Sequence, residues 1–141
     1  MRNRILIVCL GNICRSPLAQ GIFESYVTEK DILIDSAATS NYHQNASPDH
    51  RSIKVGLKHN IDITSQRSRQ IKASDFYDFD EIYAVDQSVF ETLLKLAPKK
   101  EFKHKVKMID NRDVHDPYYG NEDDFEAVFQ HLDSCIQKLI S

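Results

Sequence analysis

The chain has no hydrophobic run long enough to cross a membrane and no strong excess of either charge. A membrane-spanning helix needs about 18 or more apolar residues, whereas the apolar stretch that begins at Ile5 is interrupted at Asn12 and Arg15. That stretch is also too short for a signal peptide and predicts a first strand instead. The net charge of −3 gives no reason to expect nucleic acid or another polyanion as a partner. The composition therefore predicts neither a membrane protein nor a nucleic-acid-binding protein.

Cysteine is also scarce. The 141 residues include three cysteines, an odd number in a chain large enough to bury a core without disulfide staples. This pattern predicts a reducing compartment, and we expect a cytoplasmic protein. A zinc site at Cys9 and Cys14 would need further ligands at metal-like spacing, but Cys135 and the six histidines are scattered along the chain. The sequence therefore predicts no metal site and no cofactor.

Repeats, low-complexity segments and linkers are absent, which predicts a single domain over residues 1–141. Apolar runs predict strands at 5–8, 32–34, 81–85 and 106–109, and helical periodicity predicts helices at about 16–28, 49–59, 89–94 and 125–139. Because strands and helices alternate, we expect an α/β three-layer sandwich with a parallel sheet and helices on both faces. Ligands bind at the carboxyl ends of such strands, and Cys9 stands at the end of the first one.

The segment after the first strand, C-L-G-N-I-C-R-S-P at 9–17, has the properties of an anion-binding loop. Ser16 and Pro17 are favoured as the N-cap and first residue of a helix. The backbone amides before them lack helical partners and, together with the helix dipole, attract an oxyanion. Gly11 allows a tight curl, and Asn12 tolerates a left-handed conformation. The sequence therefore predicts a phosphate loop at the end of the first strand.

Arg15 and Cys9 give this loop its predicted chemistry. The planar guanidinium of Arg15 can hold two phosphate oxygens at once, and the positive field of the loop favours the nucleophilic thiolate of Cys9. Ser16 can donate its hydroxyl to that sulfur. An inert buried thiol is the alternative for Cys9. A Walker A loop is excluded, because a Walker A motif ends in Gly-Lys-Ser/Thr, whereas here Arg15 and Ser16 stand at that place with no glycine before them. Cys14 is either a disulfide partner for Cys9 or a small apolar core residue, and both interpretations stay open.

Attack on a phosphoryl group expels an alkoxide or phenoxide, which requires a proton donor. The best candidate is Asp116, because Pro117 stiffens the backbone next to it. Its rivals are Asp110, Asp113, His115 and the acidic run at 122–124. The acidic run is explained as a complement to the dipole of the last helix. The tyrosines that could form the walls of a cleft are Tyr42, Tyr118 and Tyr119.

Three motifs resemble the low-molecular-weight protein tyrosine phosphatases: C-L-G-N-I-C-R-S-P at 9–17, D-S-A-A-T-S at 35–40 and D-P-Y-Y-G at 116–120. The resemblance extends along the whole chain. It implies a four-stranded parallel sheet with flanking helices. It also implies hydrolysis of phosphotyrosine, in a protein or as a small aryl phosphate, through a cysteinyl-phosphate intermediate with inorganic phosphate as the product.

The resemblance also assigns roles to residues. It implies that Cys9 is the nucleophile, Arg15 the phosphate clamp, and Asp116 the acid of the first step and the base of the second. The residues implied to bind phosphate or substrate are Leu10, Gly11, Asn12, Ile13, Cys14, Ser16, Tyr42 and Tyr118, with Ser36 as a loop support. Gln66 stands where the family often has a histidine bonded to the loop asparagine, so we expect an altered brace and retained activity.

Two other functions are weighed against this one. A thioredoxin-coupled arsenate reductase shares the loop but needs a downstream pair of cysteines, and this chain has only Cys135 after the loop. A non-catalytic phosphate-binding module would be expected to have lost Cys9, Arg15 or Asp116, which are all present. We therefore expect a phosphatase, as a monomer or weak dimer.

Overall fold

The computed structural model describes residues 3–27 and 31–141, and its centre is a parallel sheet of four strands. The strands are β1 (Asn3–Cys9), β2 (Ile32–Ala38), β3 (Glu81–Ala84) and β4 (Val106–Met108), in the order β2-β1-β3-β4. All three pairings are parallel. The predicted α/β class is therefore confirmed. The structure extends β2 past the predicted end at Ile34, because its last residues pair with the end of β1.

In the described part of the chain, five helices flank the sheet. They are α1 (Arg15–Tyr26), α2 (His50–Lys58), α3 (Ala73–Asp78), α4 (Gln87–Leu96) and α5 (Glu122–Ile140), and a short 3₁₀ helix covers Lys100–Lys105. The sequence analysis did not predict α3 or the 3₁₀ helix, since six residues are too few to show a helical period. The predicted end of α1 at Thr28 lies outside the described residues.

The helices form one layer on each face of the sheet. Ile5 and Ile7 of β1 point into a core shared with α1, α2 and α5, while Leu6 and Val8 point into a second core shared with α3 and α4. A strand buried on both faces reads as a continuous apolar run, which is why β1 is so evident in the sequence. Within 3–27 and 31–141, no helix is both long and apolar enough to span a bilayer.

The strand order sets the location of the candidate site. The chain leaves β1 toward β2 on one side and returns to β3 on the other, so the winding direction changes between β1 and β3. A crevice opens at the carboxyl ends of strands at such a point. The loop after Cys9 and the turn after β3 both lie there.

Candidate active site

The loop from Cys9 to Ser16, called the phosphate loop below, has one left-handed residue. Asn12 has φ 57°, as its predicted tolerance of that conformation allows, whereas no described glycine has a positive φ. Gly11 therefore does not provide the curl itself. A Cβ at Gly11 would lie 3.2 Å from Cδ2 of His43, so this glycine instead makes room for a neighbouring side chain.

The buried side chain of Asn12 holds the loop to its surroundings. Its Nδ2 donates to Ser16 Oγ at 2.8 Å and to Ser36 Oγ at 3.0 Å. Its Oδ1 accepts from the backbone N–H of Arg69 at 3.1 Å, and Ser36 in turn donates to Gln20 at 2.7 Å. The left-handed turn is therefore fixed from β2 and from the segment before α3.

Cys9 lies at the floor of the loop with 2% of its surface exposed. Its Sγ accepts from the backbone N–H of Asn12 at 3.1 Å and lies 2.9 Å from Ser16 Oγ. Because Ser16 Oγ already accepts from Asn12, its own proton is free to point at the sulfur. The predicted N-cap role of Ser16 is wrong, since α1 begins at Arg15 with Cys14 in the cap position. The hydroxyl instead contacts the thiol.

Arg15 is a buried cation beside this thiol, with 3% of its surface exposed. Its Nη1 donates to Asp86 Oδ2 at 2.7 Å and to the carbonyl of Val114 at 2.9 Å, and its Nη2 lies 3.8 Å from Asp116 Oδ2. Burial opposes the charge, but Cys9 and Asp86 outweigh it and raise the pKa of Arg15 above its ordinary value. The guanidinium therefore stays charged and is held in one orientation.

Asp86 is a residue of the site that the sequence analysis missed. It lies two residues after the end of β3 and caps α4, because its Oδ1 accepts from the N–H of Val89 at 2.8 Å. One carboxylate oxygen thus holds the helix while the other holds Arg15. An aspartate just past a buried parallel strand was the available signal, because the carboxyl ends of the strands face the same crevice.

Asp116 lies at the mouth of the site, opposite Arg15. Its side chain is 46% exposed, and its Oδ1 accepts from the N–H of Tyr118 at 3.1 Å. Two predicted rivals are occupied elsewhere: Asp110 lies 2.6 Å from His131, and Asp113 accepts from Gln87 N at 2.8 Å. Among the described carboxylates, Asp116 is the one that lines the cavity over the loop.

The cavity has a volume of about 250 Å³. It is lined by Cys9, Leu10, Gly11, Ile13, Cys14, Arg15, Tyr42, His43, Asp116, Tyr118 and Tyr119. The predicted wall residues are therefore brought together, and Tyr42 forms an exposed rim with 72% of its surface accessible. His43 was not predicted, because a loop histidine carries no local signal of its contact with Gly11.

Cys14 and Cys135 are the other cysteines, and all three thiols are free. Cys14 is 5% exposed, and burial, reinforced by the charge of Asp49, raises its pKa to about 12. Cys135 lies in α5, is 3% exposed and belongs to the core between α5 and the sheet. The disulfide between Cys9 and Cys14 stays a prediction.

Gln66 supports the site in a different way from the predicted one. Its Nε2 donates to the carbonyl of Pro17 at 3.0 Å, in the first turn of α1, and it makes no hydrogen bond to Asn12. The polar atoms of that asparagine are taken by Ser16, Ser36 and the Arg69 amide. Gln66 Oε1 is buried without a hydrogen-bond partner among the residues of 3–27 and 31–141.

The N-terminus of a helix after a tight loop is a common phosphate-binding position, and in this fold a cysteine lies at the base of such a loop. The family model described as low molecular weight phosphotyrosine protein phosphatase matches residues 4–141. The chain belongs to this family of hydrolases.

Named relatives agree with this assignment. The human low molecular weight phosphotyrosine protein phosphatase is 38% identical over an alignment of 147 positions, which covers 96% of this chain and 92% of the human one. The pig protein of the same name is 37% identical over an alignment of the same length, which also covers 96% of this chain and 92% of the pig protein. These are similarities of sequence along nearly the whole of both chains.

Solved structures agree as well. A protein tyrosine phosphatase from Entamoeba histolytica, with Hepes in the active site, has a TM-score of 0.90 and 35% identity, covering 98% of this chain and 94% of its own. Wzb of Vibrio vulnificus, in complex with benzylphosphonate, has a TM-score of 0.90 and 25% identity, covering 99% and 97%. The fold is therefore that of the family.

Proposed function

We propose that this protein hydrolyses phosphotyrosine, in proteins or as small aryl phosphates, through a cysteinyl-phosphate intermediate on Cys9. The observation that carries the proposal is the environment of one sulfur atom. Cys9 Sγ lies at the base of a cavity, 3.1 Å from a backbone N–H and 2.9 Å from a serine hydroxyl. A fixed arginine and the half-exposed carboxylate of Asp116, 3.8 Å from that arginine, stand at the same cavity.

Binding of the phosphate group uses the loop amides and Arg15. The amides between Cys9 and α1 and the positive end of the α1 dipole attract the dianion. Arg15 donates through Nη1 to Asp86 and Val114, so its remaining N–H groups can hold phosphate oxygens. The charge that develops on the transferring group is then stabilised by donors that need no reorganisation.

In the first step, the Cys9 sulfur attacks phosphorus while the bond from phosphorus to the phenolic oxygen breaks. Asp116, protonated at this stage, donates its proton to the departing phenolic oxygen. Its position at the mouth of the cavity, opposite the buried sulfur, is suited to a leaving group in line with the attack. A sulfur–phosphorus bond has formed, and the phenol leaves.

In the second step, the Asp116 carboxylate accepts a proton from a water molecule, which attacks phosphorus as the sulfur–phosphorus bond breaks. The electron pair returns to Cys9 Sγ, where the N–H of Asn12 and the hydroxyl of Ser16 stabilise the thiolate as a leaving group. Inorganic phosphate is released, and Asp116 is protonated again.

The preference for aryl phosphates follows from the depth of the cavity above Cys9. The sulfur is buried, whereas the walls rise to Leu10, Tyr42 and Tyr118, which are 43%, 72% and 38% exposed. A phenyl phosphate spans this depth and packs its ring against the walls, whereas a serine phosphate is shorter and has no ring. The benzylphosphonate in the similar structure of Wzb is an aromatic phosphonate of this kind.

The test is release of p-nitrophenol from p-nitrophenyl phosphate by the parent protein and by Cys9→Ser, with Cys135→Ser as the matched control. The control makes the same atomic change at another buried thiol, whose sulfur donates to Leu132 O in the core. We expect hydrolysis by the parent and the control and none by Cys9→Ser. A reductase or a non-catalytic binder would release no phenol in any of the samples.

The intermediate is tested separately. Acid-quenched turnover by Asp116→Asn should leave phosphate attached to the peptide that carries Cys9, because loss of the base slows the second step. Phosphate on no peptide, or on a peptide without Cys9, would contradict the covalent step. The proposal further includes one catalytic domain over 1–141, a monomer or weak dimer, and a cytoplasmic location, where a catalytic thiol is kept reduced.

A further inference from the structure

Arg51, in the first turn of α2, has a set of contacts that the proposed chemistry does not use. Its Nε and Nη2 donate to the two carboxylate oxygens of Asp49 at 3.0 and 2.9 Å. Its guanidinium carbon lies 4.5 Å from the centre of the Phe125 ring and 5.8 Å from that of Tyr118. The side chain is 24% exposed, so most of this arginine is held between α2, α5 and the loop that carries Asp116.

The same guanidinium holds the loop at residues 116–120, called the acid loop below. Nη2 donates to the carbonyl of Tyr118 at 2.9 Å, and Nη1 donates to the carbonyl of Gly120 at 3.1 Å. The N–H of Gly120 donates to Pro117 O at 2.8 Å, which closes the turn between these carbonyls. Both acceptors of Arg51 therefore belong to one tight turn.

The turn is in direct contact with the acid. The N–H of Tyr118 donates to Asp116 Oδ1 at 3.1 Å, so the residue whose carbonyl Arg51 holds also orients the carboxylate through its amide. A change of about 1 Å in the position of a catalytic group can lower a rate about 100-fold. A single residue, Tyr118, thus links Arg51 to the proposed proton donor: its carbonyl accepts from Arg51, and its N–H donates to Asp116.

The other end of this connection reaches the phosphate loop. The N–H of Asp49 donates to the carbonyl of Ile13 at 2.8 Å, and Asp49 Oδ1 accepts from the backbone of Arg51 as the cap of α2. The hydrogen bonds from Arg51 lower the pKa of the Asp49 carboxyl, so the pair stays ionised at neutral pH. Asp49 and Arg51 therefore connect the loop that holds the sulfur to the loop that holds the acid.

We infer that Arg51 is a positioning residue for proton transfer: it sets the height of the Asp116 carboxylate above the Cys9 sulfur by holding both carbonyls of the acid-loop turn. The inference rests on the proposed function, because it requires Asp116 to be the acid. A lysine at position 51 keeps the charge but has no planar fork for two carbonyls and a carboxylate together. Loss of the Arg51 guanidinium should therefore weaken protonation of the leaving group more than it weakens binding of phosphate.

Leaving-group dependence gives a readout that a purely structural role would not change. Phenol is a weaker acid than p-nitrophenol, so phenyl phosphate depends more on a proton donor in the first step. The experiment compares kcat/KM for phenyl phosphate and p-nitrophenyl phosphate in the parent, Arg51→Lys, Arg51→Met and Asp116→Asn. Arg67→Lys is the matched control, because Arg67 Nη1 also donates to two loop carbonyls, at 2.9 and 2.7 Å, outside the cavity.

We expect Arg51→Lys to lower kcat/KM about 10-fold for phenyl phosphate and about 2-fold for p-nitrophenyl phosphate, on the scale of general acid catalysis. Arg51→Met should also lose more kcat/KM for phenyl phosphate than for p-nitrophenyl phosphate. The difference between the two substrates should be larger in Asp116→Asn and absent in Arg67→Lys. An equal loss on both substrates, or no loss, in the Arg51 variants would overturn the inference while leaving the acid assigned. An equal loss in Asp116→Asn would overturn the acid assignment and the inference with it. Arg51→Lys keeps the test possible if Arg51→Met does not fold.

Discussion

Replacing Asp86 by Asn removes the negative charge opposite Arg15 while leaving the shape of the side chain unchanged. The cap of α4 survives, because Asn is as good an N-cap as Asp and its Oδ1 can still accept from Val89 N. The group that faced Arg15 Nη1 at 2.7 Å, however, changes from an acceptor to a donor. The substitution therefore isolates the ion pair from the helix cap.

The expected loss of stability follows from what remains around Arg15. Removing one partner of a fully buried pair costs about 3–5 kcal/mol. Here Val114 O still accepts at 2.9 Å, Asp116 remains 3.8 Å away, and the Asp86 side chain is 18% exposed. The lost bond is then one hydrogen bond to a charged group, worth about 2 kcal/mol. We expect the melting temperature to fall by about 7 °C.

The measurement is urea unfolding in a double-mutant cycle of Asp86→Asn with Arg15→Met. We expect a coupling energy of about 2 kcal/mol, because the cost of Asp86→Asn disappears once the buried cation is gone. Asp113→Asn is the control, since Asp113 accepts from Gln87 N in the same turn of α4 but pairs with no arginine of the described part of the chain. A coupling within about 0.5 kcal/mol of zero, the error of additivity, would refute the reasoning.

Three further predictions follow from the site and from α5. Activity toward p-nitrophenyl phosphate should be unchanged in excess chelator, because loop amides and the arginine supply the charge stabilisation; a loss reversed by added metal would count against this mechanism. Hydrogen bonds from Gln130 and then His59 lower the pKa of Glu126 to about 2, below its ordinary 4.5. The carboxylate therefore adds stability above pH 4.5 that is lost as the pH falls toward 2, and the difference in melting temperature between the parent and Glu126→Gln should shrink over that range. Mild peroxide should convert the Cys9 sulfur to a sulfenic acid, which the Cys14 thiol attacks to form a disulfide with release of water, and a thiol reductant should restore activity. The disulfide should form faster at higher pH, because the pKa of Cys14 is about 12, and peptide mapping that finds only Cys9 sulfinic acid would rule the step out.

Local rules succeeded where one segment carries its own signal. The apolar run of β1 predicted a central strand, because burial on both faces leaves no polar position. The left-handed tolerance of Asn12 was also correct. A local rule failed at Ser16, which the N-cap preference placed at the start of α1 as its cap. Its hydroxyl contacts Cys9 instead, because a tertiary contact with the thiol outweighs the local preference for a cap.

The residues that sequence reasoning missed depend on partners far along the chain. Asp86 meets Arg15 across 71 positions, and the Arg69 amide meets Asn12 across 57. Gln66 shows the same limit, since its bond to the Pro17 carbonyl, rather than to Asn12, follows from the path of the segment before α3. A local pattern can indicate that a residue lies near the crevice, as for Asp86 after β3, but it does not identify the distant partner of such a contact.

The sequence by itself determined the strand, the turn after it and the residue types that the turn contains, because apolar burial and the conformational tolerance of asparagine act within a few residues. Only the tertiary structure decided which acid holds Arg15, which amide fixes Asn12, and that Arg51 holds the acid loop. Those choices depend on strand order and helix packing, which bring distant segments to one sheet edge, and the free energy of such contacts exists only after that packing has formed.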